Sequence, residues 1–138
     1  TVPASARVAN ELQIKQGSPI ILIQRLQIAD GMPIAIFKNY LIPDFVPDIQ
    51  NSVGKFVHLY DFLEERYGLC IDAARDRISA RSATFEEAAM LDVPVGSALI
   101  YLVRICFCNS RIIGTDHCRI LGSRYEFEVQ MNGRHRKA

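Results

Sequence analysis

The chain carries a degenerate copy of its own opening. Ser5, Ala9, Leu12, Ile14, Gly17, Ser18, Ile21, Ile23 and Arg25 recur as Thr84, Ala88, Leu91, Val93, Gly96, Ser97, Ile100, Leu102 and Arg104, each pair 79 positions apart. Each copy reads as a short helix, a Gly-terminated turn and a strand of apolar residues, with an arginine after the apolar stretch. A duplicated unit of this kind points to one pseudo-symmetric domain. Its two matched arginines predict a cleft suited to something negatively charged.

Within the first copy, Val8, Ala9 and Leu12 fall at helical spacing after Ser5, and Gly17 supplies the positive φ expected where the helix ends. Residues 19–29 and 33–42 are β-rich runs joined by Asp30-Gly31, a pair suited to a type I′ hairpin. Counted from that turn, Arg25 lies opposite Ile36, Gln27 opposite Ile34 and Leu26 opposite Ala35. Pro43 and Pro47 break regular structure, so 44–55 reads as a loop that covers a site. From His58, the residues Leu59, Phe62, Leu63 and Tyr67 recur at helical spacing, with Gly68 as the stop.

The second copy is introduced by an extended, partly exposed strand at 71–82 carrying Arg75, Arg77 and Arg81 on one parity. Thr84 and Glu87 form a capping box that opens its helix, which ends near Asp92. Strand 98–108 is almost wholly apolar and reads as buried on both faces in mid-sheet. Asn109-Ser110 turns it into a partner at 112–121. Tyr125, Phe127 and Val129 alternate with Glu126, Glu128 and Gln130, as in a last half-buried strand. The expected class is α+β, a mostly antiparallel sheet flanked by helices, in one domain covering 1–138.

Composition excludes several functions. At 138 residues and 49% hydrophobic, the chain suits one compact core. Sixteen Lys and Arg against fifteen Asp and Glu leave a net charge of +1, with no basic face for a nucleic-acid backbone. The basic run Arg134, His135, Arg136, Lys137 reads as a solvated terminus. The longest apolar run, Pro19 to Ile23, is far shorter than a membrane span, and the opening residues lack a signal-peptide pattern, so a cytoplasmic location is expected. Cys70, Cys106, Cys108 and Cys118 lack CxxC spacing and read as reduced core thiols. A zinc site of Cys106, Cys108, His117 and Cys118 has poor spacing, so neither metal nor cofactor is expected.

Two arginines inside apolar strands need anionic partners, because burying an unpaired guanidinium is costly. The partner is either an internal carboxylate, with Asp116, Glu126 and Asp76 available, or a ligand's carboxylate or phosphate held bidentately. The helix start at His58 and Tyr60 adds outward N–H groups and a favourable dipole. Motifs of nucleophilic, metal or nucleotide chemistry do not occur, so an enzyme is not expected.

The run Arg25-Leu-Gln-Ile-Ala-Asp-Gly-Met-Pro-Ile-Ala-Ile, followed by Tyr40-Leu-Ile-Pro43, resembles the first hairpin of the UTRA domain, the effector-sensing domain of HutC-type GntR transcription regulators. Leu59-Tyr-Asp-Phe-Leu, Tyr67-Gly68, Thr84-Phe-Glu-Glu-Ala-Ala-Met-Leu, Gly96, Arg104 and Arg124-Tyr-Glu-Phe127 follow in the family's order. The resemblance spans Ser5 to Met131. It implies a chorismate lyase-like fold, a homodimer, and a small molecule that repositions N-terminal winged-helix DNA-binding domains. Those domains are absent from this chain, which reads as an excised sensor domain or as one fragment of a longer regulator.

By the same resemblance, Arg25 holds the ligand's anionic group, helped by the positions of His58 and Tyr60. Four positions depart from the sugar-phosphate-sensing pattern: Gln27 replaces an arginine, Phe37 a glutamate, Gly114 a glutamate and Ile120 a tyrosine. The expected ligand is therefore an anionic metabolite with an apolar or aromatic part, an organic acid or amino-acid catabolite, held by Arg25, His58, Tyr60, Gln27, Phe37, Gly114 and Ile120. Arg104, satisfied internally, and Tyr125 are expected to act structurally. Sugar-phosphate sensing, a chorismate lyase-like enzyme and a dimerisation module with a vestigial pocket are the alternatives. Tyr125 and Phe127 on the last strand are the expected site of intersubunit pairing.

Overall fold

The computed structural model describes residues 1–133. Its elements are β1 (Val2–Pro3), α1 (Ala6–Leu12), β2 (Pro19–Ala29), β3 (Met32–Leu41), α2 (Leu59–Tyr67), β4 (Ala73–Ser82), α3 (Phe85–Leu91), β5 (Ala98–Cys108) and β6 (Arg111–Leu121). Between β3 and α2 lie two 3₁₀ turns, Pro43–Phe45 and Ile49–Ser52. The strands form one antiparallel sheet in the order β1-β2-β3-β6-β5-β4, so the fold is α+β.

The duplication is visible in backbone detail. Ser5 caps α1 by accepting from the Val8 N–H, and Thr84 caps α3 by accepting from that of Glu87, whose carboxylate returns the bond to the Thr84 N–H. Gln13 and Asp92, also 79 apart, close the two helices in the left-handed conformation. Gly17, expected to end α1, instead sits in the following turn, as does Gly96. The hairpin turns match too: Asp30-Gly31 and Asn109-Ser110 all have positive φ, as a type I′ turn requires. Pairing keeps the same offset, since Val2 opposite Ile20 repeats as Arg81 opposite Leu99. β3 and β6 lie side by side and antiparallel, so the pseudo-twofold axis runs between them.

One face of the sheet is covered by α1 and α3. Val8, Ala9 and Leu12 pack with Ile20, while Ala88 and Leu91 pack with Ile36, Leu99 and Leu121. The other face is covered only in part. There Leu59 and Leu63 of α2 join Ile21, Ile23, Leu41 and Cys106, and truncating the fully buried Leu63 to alanine would cost roughly 2–5 kcal/mol. The 3₁₀ turns insert Val46 and Ile49 into this same cluster, so the loop expected to cover a site is packing instead. Beyond α2, no helix among the described residues lies above the floor of Ala35, Leu102, Cys118 and Ile120.

Three expectations about the strands are corrected. Ile34 bulges out of β3, so Gln27 pairs with Ala35, Leu26 with Ile36 and Arg25 with Phe37. Pro33, which has no N–H to donate, is where the ladder slips. The shift sends Ile36 into the α3 core and brings Phe37 onto the face of Arg25. β5 lies second from the sheet edge, with β4 outside it. Residues 125–131 form no strand; Tyr125 and Phe127 pack edge to face, with ring centroids 5.0 Å apart. Of the four cysteines, Cys70 is exposed rather than core. The basic residues 134–137 lie outside the described residues.

Candidate binding site

The uncovered part of the sheet, the start of α2 and the segment after β6 enclose a cavity of about 480 Å³. Strand alternation decides what it contains. Arg25 and Gln27 from β2, Ala35, Phe37 and Asn39 from β3, Asp116, Cys118 and Ile120 from β6, and Leu102 and Arg104 from β5 all project to this face. His58, Leu59, Tyr60 and Asp61 close one side, and Tyr125 and Phe127 another.

A polar chain runs across the pseudo-twofold axis. Arg25 Nη2 donates to Asn39 Oδ1 at 3.1 Å, and Asn39 Nδ2 donates to Asp116 Oδ1 at 2.8 Å. Asp116 Oδ2 accepts from the Tyr60 hydroxyl and, more weakly, from Cys106 Sγ at 3.7 Å. Asn39 and Asp116 are buried. The Asp116 carboxylate therefore fixes the Asn39 amide with its oxygen toward Arg25. The Arg25 guanidinium also lies over the Phe37 ring at 5.8 Å and reaches the Val57 carbonyl at 3.5 Å, but its Nε is buried without a partner.

Burial keeps one phenol and two thiols of the site protonated. Burial, followed by the Asp116 charge, pushes the Tyr60 phenol well above its ordinary range. The same two causes push the thiols of Cys106 and Cys118 up to about 12, so neither is a nucleophile near neutral pH. Arg104 Nε and Nη2 hold Asp76 Oδ1 and Oδ2 at 2.8 and 2.9 Å, a bidentate pair that raises the arginine and lowers the aspartate. His117 faces α1 on the opposite side of the sheet from Cys106 and Cys118, bonded to Glu11 at 2.7 Å. Alternation thus splits the cysteine and histidine set considered for zinc.

The model of the UTRA domain matches residues 1–126. The chain belongs to the UTRA domain family. It is similar to the uncharacterized HTH-type transcriptional regulator YurK of Bacillus subtilis, 26% identical over 109 residues, 79% of this chain and 45% of that protein. It is also similar to the probable transcriptional regulator PhnF of Escherichia coli, 31% identical over 99 residues, 71% of this chain and 40% of that one. The chain thus spans less than half the length of either relative. The crystal structure of the YurK C-terminal domain superposes with a TM-score of 0.87 at 25% identity, covering 94% of this chain and 89% of that one.

In this UTRA domain Arg25, His58, Tyr60, Gln27, Phe37 and Ile120 all meet at the cavity. Gly114 does not. It sits where β6 crosses Leu41, and a Cβ there would come within 2.8 Å of the Tyr40 carbonyl oxygen and 2.9 Å of a Leu41 methyl. Its missing side chain is therefore a condition of close strand packing. Arg104 takes Asp76, one of three internal carboxylates considered, as its partner, yet it also faces the cavity, as does Tyr125. Sequence reasoning missed Asn39, Asp61, Leu102 and Cys118, and placed Asp116 only as a possible arginine partner. A signal existed for Asp116: it stands opposite Arg104 as Phe37 stands opposite Arg25, at the same offset.

Proposed function

We propose that this domain is the small-molecule sensor of a GntR-type transcription regulator, and that its cavity binds a carboxylate-bearing metabolite with an apolar or aromatic part. The observation that carries the reading is the Arg25 guanidinium on the cavity wall, which among the described residues bonds only the Asn39 amide oxygen and the Val57 carbonyl, beside an apolar floor. A ligand carboxylate accepting from its terminal N–H groups supplies the counter-charge that the described residues do not. Phe37 and Ile120 leave fewer polar groups for sugar hydroxyls. The Asp76 pairing removes Arg104 as a second free cation for a phosphate.

His58 caps α2 without a side-chain cap bond and lines the cavity, where its ring can meet a ligand. In a homodimeric regulator, a ligand gripped by Arg25 and the start of α2 favours one arrangement of the two domains and so changes operator affinity through a separate N-terminal domain. The similarity to named transcriptional regulators and the inert thiols both favour sensing over catalysis. No helix among the described residues is long and apolar enough to cross a membrane.

Isothermal titration of this chain with a panel of small carboxylates and sugar phosphates tests the reading. Binding of a carboxylate, lost on Arg25→Ala with the circular dichroism spectrum unchanged, is the expected result. Tighter binding of a sugar phosphate, or carboxylate binding that survives Arg25→Ala, overturns it.

A further inference from the structure

Resting on that reading, we propose that the ligand is a zwitterion: an amino acid with an apolar side chain, its carboxylate on Arg25 and its ammonium on the carboxylates of Asp116 and Asp61. The cavity wall carries charges of both signs. Arg25 and Arg104 face it, but so do Asp61 and Asp116, and Asp76 already holds Arg104 through two short bonds. Counting that partner, three carboxylates stand against two guanidiniums. A dianion entering this site meets one free cation and two carboxylates. An ammonium group removes that conflict.

The acceptor inventory points the same way. A carboxylate offers about four lone-pair sites, and Asp116 receives three donors, from Asn39, Tyr60 and Cys106. One acceptor position remains on a group that lines the cavity. Asp61, in the first turn of α2, also lines it and bonds no other side chain among the described residues. The Asn39 amide alone separates the Arg25 guanidinium from the Asp116 carboxylate, a spacing suited to a carboxylate and an amine on the same or adjacent carbons. Ala35, Leu102 and Ile120 on the floor, with Phe37, Tyr125 and Phe127 around it, suit an aliphatic or aromatic side chain.

Three probes with one carbon skeleton separate the charges: L-phenylalanine, 3-phenylpropanoate, which lacks the amine, and 2-phenylethylamine, which lacks the carboxylate. L-Leucine with 4-methylpentanoate makes a second, aliphatic pair. Titration calorimetry on this chain is expected to show the amino acid of at least one pair binding about tenfold or more tighter than its deaminated acid. Asp61→Asn, at an exposed position, is expected to narrow that gap without changing the unfolding midpoint, and Asp116→Asn to narrow it further.

Deaminated acids that bind as tightly as the amino acids overturn the zwitterion and leave the Arg25 anchor standing. The amine binding more tightly than both carboxylate probes overturns the anchor as well. Absence of binding across both sets counts against the zwitterion, and the wider carboxylate panel then decides the anchor separately.

Discussion

Two halves built on one backbone plan have come to hold their arginines by different means. Arg104 lies on β5, and β4 runs the full length of β5 outside it, so Asp76 reaches the guanidinium from the outer strand. Arg25 lies at the matching place on β2, but the strand outside it, β1, is two residues long and stops well short of it. Among the described residues, no outer carboxylate reaches Arg25. Its support comes from the inner side, through Asn39, and Asn39 is held by Asp116 of the other half. The difference teaches that identical strand positions acquire different chemistry when one neighbour is lost. The repeat alone predicts two equal anion sites. Strand adjacency makes one of them an internal ion pair and leaves the other open to a ligand.

The largest test of this contrast compares Asp116 with its counterpart Phe37. Asp116→Ala leaves the Tyr60 hydroxyl and the Asn39 amide without their acceptor in a buried site, and should cost about 3 kcal/mol in urea unfolding. Phe37→Ala, at a half-buried position, should cost about half as much. Equal losses would mean that the network across the axis carries no special weight.

Binding provides a second test. Arg25→Ala should weaken the carboxylate ligand by about thirtyfold or more, near 2 kcal/mol, whereas Arg104→Ala should change affinity less than about threefold. Stability should respond little to either change. If both arginines prove equally important for affinity, the symmetric two-anion cleft is restored and the asymmetry drawn from Asp76 fails.

Much of this was legible in advance, for reasons that differ along the chain. Caps and turns are local, so Thr84, Glu87, Asp30-Gly31 and Asn109-Ser110 announced their roles through conformational demands that few other residues meet. The register of the first hairpin was not legible to the residue, because a bulge at Ile34 is a property of the paired strands and not of either run alone. That one-residue slip matters, since it moves Phe37 rather than Ile36 beside Arg25. Alternation at Tyr125 and Phe127 imitates a strand because both rings reach the same cavity. Asn39 looked like any polar residue near a strand end. Its meaning depends on Asp116, distant in sequence and adjacent only after β3 and β6 pair.

On the opposite face, both helices fasten to β6 through glutamates that the repeat does not match. Glu11 of α1 accepts from Thr115 Oγ1 at 2.8 Å and bonds His117 Nε2, while Glu87 of α3 holds Arg119. Burial pushes the Glu11 carboxyl up, but the bonds from His117, Thr115 and Arg7 outweigh it and leave it below its ordinary value. A carboxyl lowered in the folded state stabilises above its unfolded pKa, and that contribution disappears as pH falls through the folded value. Thermal unfolding followed from pH 6 to pH 3 should therefore show Glu11→Gln less stable at pH 6, by about 1 kcal/mol, with the gap to the parent closing as pH falls through the carboxylate range. A gap that stays constant over this range would assign Glu11 to packing alone and set the attachment of α1 to β6 apart from that of α3, where Glu87 is also lowered by its bonds.

The smallest expected effect is the one that most sharply distinguishes holding an arginine from being stabilised by it. The Arg104 and Asp76 side chains are each about a third exposed, at 36% and 35%, and solvent screens their attraction despite the bidentate geometry. A double-mutant cycle of Arg104→Ala and Asp76→Ala should return a coupling of no more than about 1 kcal/mol, shrinking further in high salt. Asp76→Ala alone should matter more for recognition than for folding. Freed of its partner, Arg104 becomes a second unpaired cation at the cavity wall, and the variant should gain affinity for phosphate-bearing probes that the parent binds poorly. No gain would show that Arg104 is turned away from the ligand by more than its ion pair. A gain would identify Asp76, on an outer strand and outside the cavity lining, as the residue that makes the two halves unequal.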